Sequence, residues 1–255
     1  MRYGLIADVH GNLDALRAVL HALGHEGVER YLVAGDLVGY GPYPNECVKA
    51  VAELDAACVA GNHDLIALGE LSDRRCIELA RRSLAWTRDV LGGDERAFLA
   101  ALPRTVSAPG GVVMAHGSLD DPQEYTATSK QALAQLAQVE ESGAGVLVLG
   151  HTHRPLAFAR RAGWLQARGS AGLPPADSVL LNPGAVGQSR ELRVRARYAV
   201  LDLDARKARF VAIPYDVGAC RSALRRVGLS PRSCHLRPSV PRAAARAVRA
   251  STPWR

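Results

Sequence analysis

Five short apolar runs constrain the fold of this chain more than any other feature, because each ends at a glycine or a polar turn residue. Short runs rich in aliphatic residues are typical of buried strands in a layered sheet. A polar segment follows each run, and the five segments are Asp8-Val9-His10, Gly35-Asp36, Gly61-Asn62-His63-Asp64, Ala115-His116-Gly117 and Gly150-His151-Thr152-His153. The pattern predicts an α/β fold with polar side chains gathered at the strand ends.

These strand ends are expected to form one site. In open α/β sheets, ligands gather outside the carboxyl ends of the strands. Five of the eight histidines fall in the five polar segments, together with aspartate and asparagine. Imidazole, carboxylate and amide oxygen form the ligand mixture that borderline divalent metals prefer. The sequence therefore predicts a metal centre at this edge of the sheet.

The order DxH, GD, GNHD, H, GHTH resembles the calcineurin-like metallophosphoesterase superfamily. Four further segments resemble a small prokaryotic, phosphodiesterase-like branch of it: Trp86-Thr87-Arg88, His116-Gly117-Ser118, Asn182-Pro183-Gly184 and Pro214-Tyr215-Asp216. The resemblance extends to about residue 227. It implies a four-layer α/β/β/α sandwich of two mixed sheets, with a dinuclear metal site at the carboxyl ends of the strands.

The resemblance also implies a ligand set for two divalent cations. The first cation would be held by a carboxylate and two imidazoles, which are Asp8, His10 and His153. The second would be held by an amide and two imidazoles, which are Asn62, His116 and His151. Asp36 would bridge both cations. Manganese is the expected metal, and iron, zinc, nickel and cobalt accept the same mixed nitrogen and oxygen ligands.

A hydrolytic mechanism follows from such a pair of cations. A bridging carboxylate holds them roughly 3.5–4 Å apart, which suits in-line phosphoryl displacement, and a bound cation can lower the pKa of water to about 7. The resulting bridging hydroxide would attack phosphorus. His63 matches the family's histidine beside the leaving group and would assist the departing oxygen. Asp64 would either orient His63 or cap the helix that follows, and the sequence leaves both roles open.

The residues after Asp36 bear on the substrate. Phosphoprotein phosphatases resemble GDxxDRG and symmetrical dinucleoside tetraphosphatases resemble GDxxxRG, where the arginine clamps phosphate, but this chain has Gly39 and Tyr40 there. Losing a guanidinium removes a bidentate phosphate grip, which should weaken binding of a dianionic monoester more than that of a monoanionic diester. The sequence therefore favours hydrolysis of small or nucleotide-like phosphodiesters. A phosphomonoesterase or dinucleoside polyphosphate hydrolase stays open, because Arg190 could substitute.

The net charge of +7 comes almost entirely from the end of the chain. Residues 230–255 contain six arginines, four prolines and no acidic residue, so the remainder carries about +1. The composition predicts a metallophosphoesterase domain over residues 1–228 and a basic tail over residues 229–255, which we expect to be unstructured and functionally minor. Nucleic-acid attraction through this tail would give a nuclease-like enzyme. That alternative is not favoured, since Trp254 offers no pattern for base stacking.

The remaining composition indicates a cytoplasmic enzyme without a membrane partner. A length of 255 residues suits one layered α/β domain. No apolar run approaches membrane-spanning length, and the five cysteines lack zinc-type spacing and suggest reduced thiols. The sequence does not determine the oligomeric state. A non-catalytic scaffold is the least favoured function, because no ligand position is degenerate.

Periodicity and turn residues place the other elements. Asn12 and Asn45 are predicted to cap helices. Residues 72 to about 102 are predicted to be wholly helical apart from a break at Gly92-Gly93. Residues 197–203 and 208–213 are predicted to form a hairpin, and a helix from 217 to about 227 should close the fold.

Overall fold

A computed structural model of the chain, which describes residues 1–238, contains two six-stranded mixed sheets. The strands in chain order are β1 (Arg2–Ile6), β2 (Arg30–Val33), β3 (Ala56–Cys58), β4 (Thr105–Ala108), β5 (Val112–Ala115), β6 (Val146–Val148), β7 (Leu156–Ala159), β8 (Gly163–Leu165), β9 (Gly169–Gly172), β10 (Val179–Asn182), β11 (Ala196–Asp202) and β12 (Lys207–Ile213). The first sheet has the order β3-β2-β1-β11-β12-β9, and the second has the order β4-β5-β6-β10-β7-β8.

Helices cover the outer face of each sheet. Along residues 1–238 they are α1 (Leu13–Gly24), α2 (Pro44–Ala52), α3 (Asn62–Leu68), α4 (Glu78–Val90), α5 (Gly93–Ala100), α6 (Ser129–Glu141) and α7 (Val217–Arg226), with 3₁₀ turns at Asp73–Arg75 and Pro231–Cys234. Helices α1, α2, α4 and α5 pack on the first sheet, and α6 packs on the second. The predicted four-layer α/β/β/α sandwich is confirmed. None of these helices has both the length and the apolar character to cross a membrane.

The alternation of side chains along each strand explains why two sheets stack. On β1, Tyr3 and Leu5 lie in the core between the sheets, where they join Met114 and Leu181 of the second sheet. Ile6 instead lies in the cluster that the first sheet forms with its helices. Successive residues of a strand point to opposite faces, so a strand that is apolar throughout needs cover on both sides.

The strands that carry the polar segments run in the same direction within each sheet. In the first sheet β1, β2 and β3 are mutually parallel, and in the second β5, β6 and β10 are parallel. Parallel strands bring their carboxyl ends to one edge, which is where the crevices of such sheets bind ligands.

One predicted cap is confirmed and the other is wrong. The side chain of Asn12 accepts a hydrogen bond from the backbone N–H of Ala15, 3.2 Å away, at the start of α1. Helix α2 begins at Pro44, because proline is favoured in the first turn. Asn45 therefore lies inside the helix, and its amide bonds the backbone of residues 90 and 92, tying α2 to the link between α4 and α5.

The segment from 72 to 102 is less continuous than the sequence predicted. The break at Gly92 is present, but a second one separates the 3₁₀ turn at Asp73–Arg75 from α4, where Cys76 and Ile77 have extended backbone. The predicted hairpin is the antiparallel pair β11–β12, and the closing helix is α7, which Asp216 caps.

The first residues of the basic segment lie on the domain. Cys234 is buried against Cys220 and Leu224 of α7, and residue 235 forms a β-bridge to Ser189. These contacts differ from the expectation of an unstructured chain from residue 229, because the arginine and proline content hid one apolar anchor. Residues 239–255 lie outside the described part, so the tail prediction for them and the division at residue 228 stay predictions.

Candidate metal centre

The five polar segments meet where the two sheets come together. The side-chain ligand atoms of Asp8, His10, Asp36 and His153 lie within 4.8 Å of one another, and those of Asp36, His116 and His151 form a second such group. All of these residues are buried. Asp36 is common to both groups, so the structure brings together all the predicted ligands that carry a carboxylate or an imidazole.

Asn62 lies beside the second group. Its side-chain Oδ1 is 3.1 Å from Nε2 of His116. It opens helix α3 directly after the third strand, so its amide oxygen reaches the cluster from the first sheet while His116 reaches it from the second. Asn62, the seventh predicted ligand, therefore lies next to the second group.

The backbone at these strand ends is strained. Within residues 1–238, eight non-glycine residues have a positive φ, and five of them are predicted ligands: Asp8, His10, Asp36, His151 and His153. Left-handed backbone costs an L-residue roughly 1–2 kcal/mol. Strain of this kind concentrates at functional sites, where the surrounding structure holds it in place. The left-handed backbone therefore lowers the stability of the fold but directs these side chains toward one point.

A single oxygen atom joins the two groups. Oδ2 of Asp36 lies 3.5 Å from Nε2 of His10 and 3.2 Å from Nε2 of His116. It has no hydrogen-bond partner, whereas Oδ1 accepts a bond of 2.7 Å from the backbone N–H of His63. One oxygen of the carboxylate is thus fixed by the backbone and the other is free to face both groups.

Backbone carbonyls fix three of the imidazole rings. Nδ1 of His10 donates to the carbonyl of Val38, and Nδ1 of His153 donates to that of Gln188, over 3.1 and 2.8 Å. Nδ1 of His116 donates to the carbonyl of Ala34 over 2.6 Å. A ring held in this way presents the lone pair of Nε2, which is how metal-binding histidines are oriented.

Buried polar atoms without hydrogen-bond partners indicate whether a metal ion fits this cluster. Oδ2 of Asp8 and Nε2 of His151 are buried and have no hydrogen-bond partner in the described chain, and Oδ2 of Asp36 has only the imidazoles of His10 and His116 beside it. An unsatisfied buried polar group costs about 1–3 kcal/mol, and more when it is charged. Divalent cations bound by these oxygen and nitrogen atoms would remove that cost, so the residues present fit the metal that the ligand pattern predicts.

Burial controls the protonation of most of the cluster. It lowers the pKa of His63 to about 4 and that of His151 to about 3, and it also lowers the pKa of His10 and His153. Burial raises the pKa of Asp8 to about 7. These imidazoles are therefore neutral at neutral pH, which is the form that binds a metal.

His116 behaves differently from the other imidazoles. Burial disfavours its charged form, but the carboxylate of Asp36 outweighs burial and raises the pKa of His116 to about 9. Burial likewise opposes ionisation of Asp36, and His116 holds its pKa well below the usual range. The pair is thus an ion pair in the absence of another cation, and a cation bound there would take the place of the His116 proton.

His63 lies at the edge of the cluster, and its ring packs against two neighbouring rings. Tyr40 stacks on it at a centroid distance of 4.8 Å, and His10 meets it edge-on at 4.7 Å. Its Nδ1 has no hydrogen-bond partner within residues 1–238. A Cβ at Gly39 would lie 2.3 Å from this nitrogen, so the ring fits only because position 39 has no side chain.

Asp64 does not hydrogen-bond His63, so a direct orienting contact is not found. Its carboxylate accepts hydrogen bonds from the backbone N–H groups of Asp36, Val38 and Gly61, at 2.8, 3.1 and 2.9 Å. The hydrogen bond from the Gly61 N–H caps α3, which is one of the two roles predicted for Asp64. The other two hold the loop that carries Asp36. Asp64 is fully buried and positions the backbone of the site.

A cavity of about 390 Å³ opens onto the cluster, and Asp36, Asn62, His63, His151 and His153 line it. Arg190 also lines this cavity. Its Nη1 donates to the hydroxyl of Tyr125 over 3.0 Å, its Nε donates to Oε1 of Gln188 over 3.1 Å, and its Nη2 lies 3.4 Å from Nε2 of His153. Tyr125 packs on His151 at 4.3 Å. No pattern in the sequence indicated that Tyr125 would lie at the site.

Comparison with known proteins supplies a family. The family model of the calcineurin-like phosphoesterase superfamily domain matches residues 1–206. A metallophosphoesterase structure from Sphaerobacter thermophilus is 32% identical, covers 92% of this chain and 96% of its own, and superposes with a TM-score of 0.79. An uncharacterized protein of Methanocaldococcus jannaschii is 29% identical over 216 residues, which is 84% of this chain and 87% of that protein.

A hypothetical protein of Pyrococcus horikoshii shows the same fold. Its structure covers 91% of this chain and 96% of its own, with a TM-score of 0.74 and 20% sequence identity. At that identity the likeness concerns the fold alone.

Proposed function

Because the chain belongs to the calcineurin-like phosphoesterase superfamily, whose members are metal-dependent hydrolases of phosphoric esters, we propose that it hydrolyses small or nucleotide-like phosphodiesters. The observation that carries this proposal is the pair of Asp/His groups that share Asp36, with His63 beside them. Two cations at a shared carboxylate are suited to in-line displacement at phosphorus.

We assign Asp8, His10 and His153 to one cation and Asn62, His116 and His151 to the other. Asp36 would be shared by the two cations, since its Oδ2 is the oxygen that faces both groups. When bound, the two cations would polarise a phosphoryl oxygen and lower the pKa of water. Manganese is the proposed metal, because the carboxylates of Asp8 and Asp36 and the amide oxygen of Asn62 suit it, while the four imidazoles also accept iron, zinc or nickel.

The chain's own residues would perform three tasks around the substrate. His63 would donate a hydrogen bond to the departing oxygen, and Tyr40 keeps its ring in one orientation by stacking on it. Arg190 would bind a non-bridging oxygen, since Tyr125 and Gln188 already hold its guanidinium at the cavity wall. Asp64 would hold the two loops that carry Asp36 and Gly61 in fixed positions relative to each other. None of these residues forms a covalent bond to the substrate in this mechanism.

The preference for diesters rests on what surrounds Asp36. A side chain at position 39 would collide with His63, and Tyr40 is buried against His63 and His10. The place where related phosphatases carry an arginine is thus closed. Arg190 contacts His153 of the cluster, and the same cavity is also lined by Arg75, Arg154 and Arg237. Gln188 and Tyr125 already bond two nitrogens of Arg190, so this guanidinium cannot offer a free bidentate grip, which suits a monoanionic diester better than a dianionic monoester.

The test compares bis(p-nitrophenyl) phosphate with p-nitrophenyl phosphate on protein loaded separately with manganese, iron, zinc, nickel or cobalt. We expect a higher kcat/KM for the diester and the highest activity with manganese. Elemental analysis of the loaded protein should give two metal ions per chain. A higher kcat/KM for the monoester would refute the assigned specificity, and a single bound ion would refute the assigned pair.

A further inference from the structure

A groove of about 870 Å³ begins at the cavity of the metal centre. The two share Arg154, Arg190 and residue 238 in their walls. Arg154 follows His153 directly in the chain, and Arg190 contacts the ring of His153. The groove therefore leads away from the proposed reacting centre rather than lying on a separate face.

Arginine dominates the walls of this groove. Six arginines line it, with Glu191 as the acidic residue among its lining residues: Arg154, Arg168, Arg190, Arg193, Arg195 and Arg197. Glu191 is already neutralised, because both its oxygens accept bonds of 2.8 Å from Arg197. Within residues 1–238, Arg154, Arg168, Arg193 and Arg195 form no salt bridge. Four guanidiniums are thus left without a carboxylate, in a domain whose net charge is only about +1.

Resting on the proposed phosphodiesterase function, we infer that this arginine groove binds the phosphate backbone of a single-stranded nucleic acid that continues from the metal centre. Several arginines without a carboxylate partner along a groove match a polymer that carries one negative charge per nucleotide. The single charge of a small ester, in contrast, would be bound inside the cavity. Residues of the cluster line that cavity, and His63 is only 5% exposed. An unpaired strand can bring its backbone to groups buried in this way, whereas a base-paired duplex would first have to open.

The test measures binding without turnover. Fluorescence anisotropy of a labelled oligothymidine of about twelve nucleotides, a length within the range of single-strand sites, is recorded with the full chain in EDTA across a series of NaCl concentrations. Single-strand contacts give a slope of log K against log[salt] of about −0.7 per phosphate, so four guanidiniums predict a contribution of about −3. Replacing Arg168 and Arg193 together by alanine should reduce the slope by about 1.4.

The matched control removes two exposed arginines elsewhere. Arg30 begins β2 at the end opposite Asp36, and Arg161 lies in the turn between β7 and β8. Neither forms a salt bridge within the described residues. The Arg30→Ala/Arg161→Ala variant should keep the wild-type slope, and thermal melts of both double variants confirm that they fold. The 17 residues of the chain beyond 238 are present in all three proteins, so they cannot produce a difference.

Two outcomes would overturn the inference. One is an unchanged slope for Arg168→Ala/Arg193→Ala, or an equal change in the control variant. The other is competition by inorganic tripolyphosphate that is as effective as unlabelled oligothymidine at equal phosphate concentration, which would assign the groove to a short anion. Failure of the proposed function is seen separately, because the protein would then hydrolyse no bis(p-nitrophenyl) phosphate, or would prefer p-nitrophenyl phosphate, while the binding measured in EDTA remained.

Discussion

Placing one methyl group at position 39 should move His63 without touching any proposed metal ligand. A Cβ on Gly39 would lie 2.3 Å from Nδ1 of His63, and an ordinary contact is 3.4 Å or more, so the ring must shift by about 1 Å. A misplacement of that size can cost about 100-fold in rate. Because φ at Gly39 is +83°, the change to alanine should also lower the free energy of unfolding by roughly 1–2 kcal/mol.

Gly69 offers a control with the same backbone strain and no collision. Its φ is +84°, it ends the helix that begins beside His63, and a Cβ there would meet nothing within 4 Å. Gly69→Ala should therefore lose a similar amount of stability and keep its turnover. The assay is kcat/KM for bis(p-nitrophenyl) phosphate together with the metal content of each variant. Full activity in Gly39→Ala, or equal activity losses in both variants, would refute the reasoning about His63.

Three further predictions concern the centre itself. Asp36→Ala should lose the bound metal pair, whereas His63→Ala should keep both metals and lose most turnover, as measured by elemental analysis and steady-state kinetics; a fully active His63→Ala variant would remove that residue from the mechanism. Asp64→Ala leaves three buried N–H groups unsatisfied and should lower the free energy of unfolding, measured by urea denaturation, by about 3 kcal/mol or more. The control Asp94→Ala, in the exposed first turn of α5, should lower it by less than about 1 kcal/mol. Equal losses of stability in the two variants would contradict this prediction. Manganese at about 100 times its Kd should stabilise the metal-free protein by about 2.7 kcal/mol, and a melting temperature insensitive to chelator would argue against a metal site.

Local patterns in the sequence were sufficient to predict the layered fold and to predict that the seven proposed ligands lie close together. Each ligand segment follows directly after a strand, and the parallel order of strands fixes where such segments meet. The contacts that short patterns could not predict join residues that are far apart in the chain. Arg190 and Tyr125 are 65 residues apart, and Asp64 bonds backbone groups 26 and 28 residues away.

Two errors have a similar origin. Asn45 has the side chain of a good cap, but the preceding Pro44 starts the helix one residue earlier and the amide finds distant backbone partners instead. Composition after residue 228 is polar and rich in proline, yet Cys234 is buried against α7 and Leu229 packs, partly buried, on the same cluster. Average composition does not reveal a single anchoring residue.

The proposed centre draws its ligands from both layers, since Asp36 and Asn62 follow strands of the first sheet and His116 and His151 follow strands of the second. Bound cations would therefore crosslink the two sheets noncovalently, and the gap between the sheets would set how well the ions fit. That gap is determined by interlayer side chains such as Leu5 and Met114. Changing the bulk of these distant hydrophobic residues should retune metal affinity, although none of them reaches the ions.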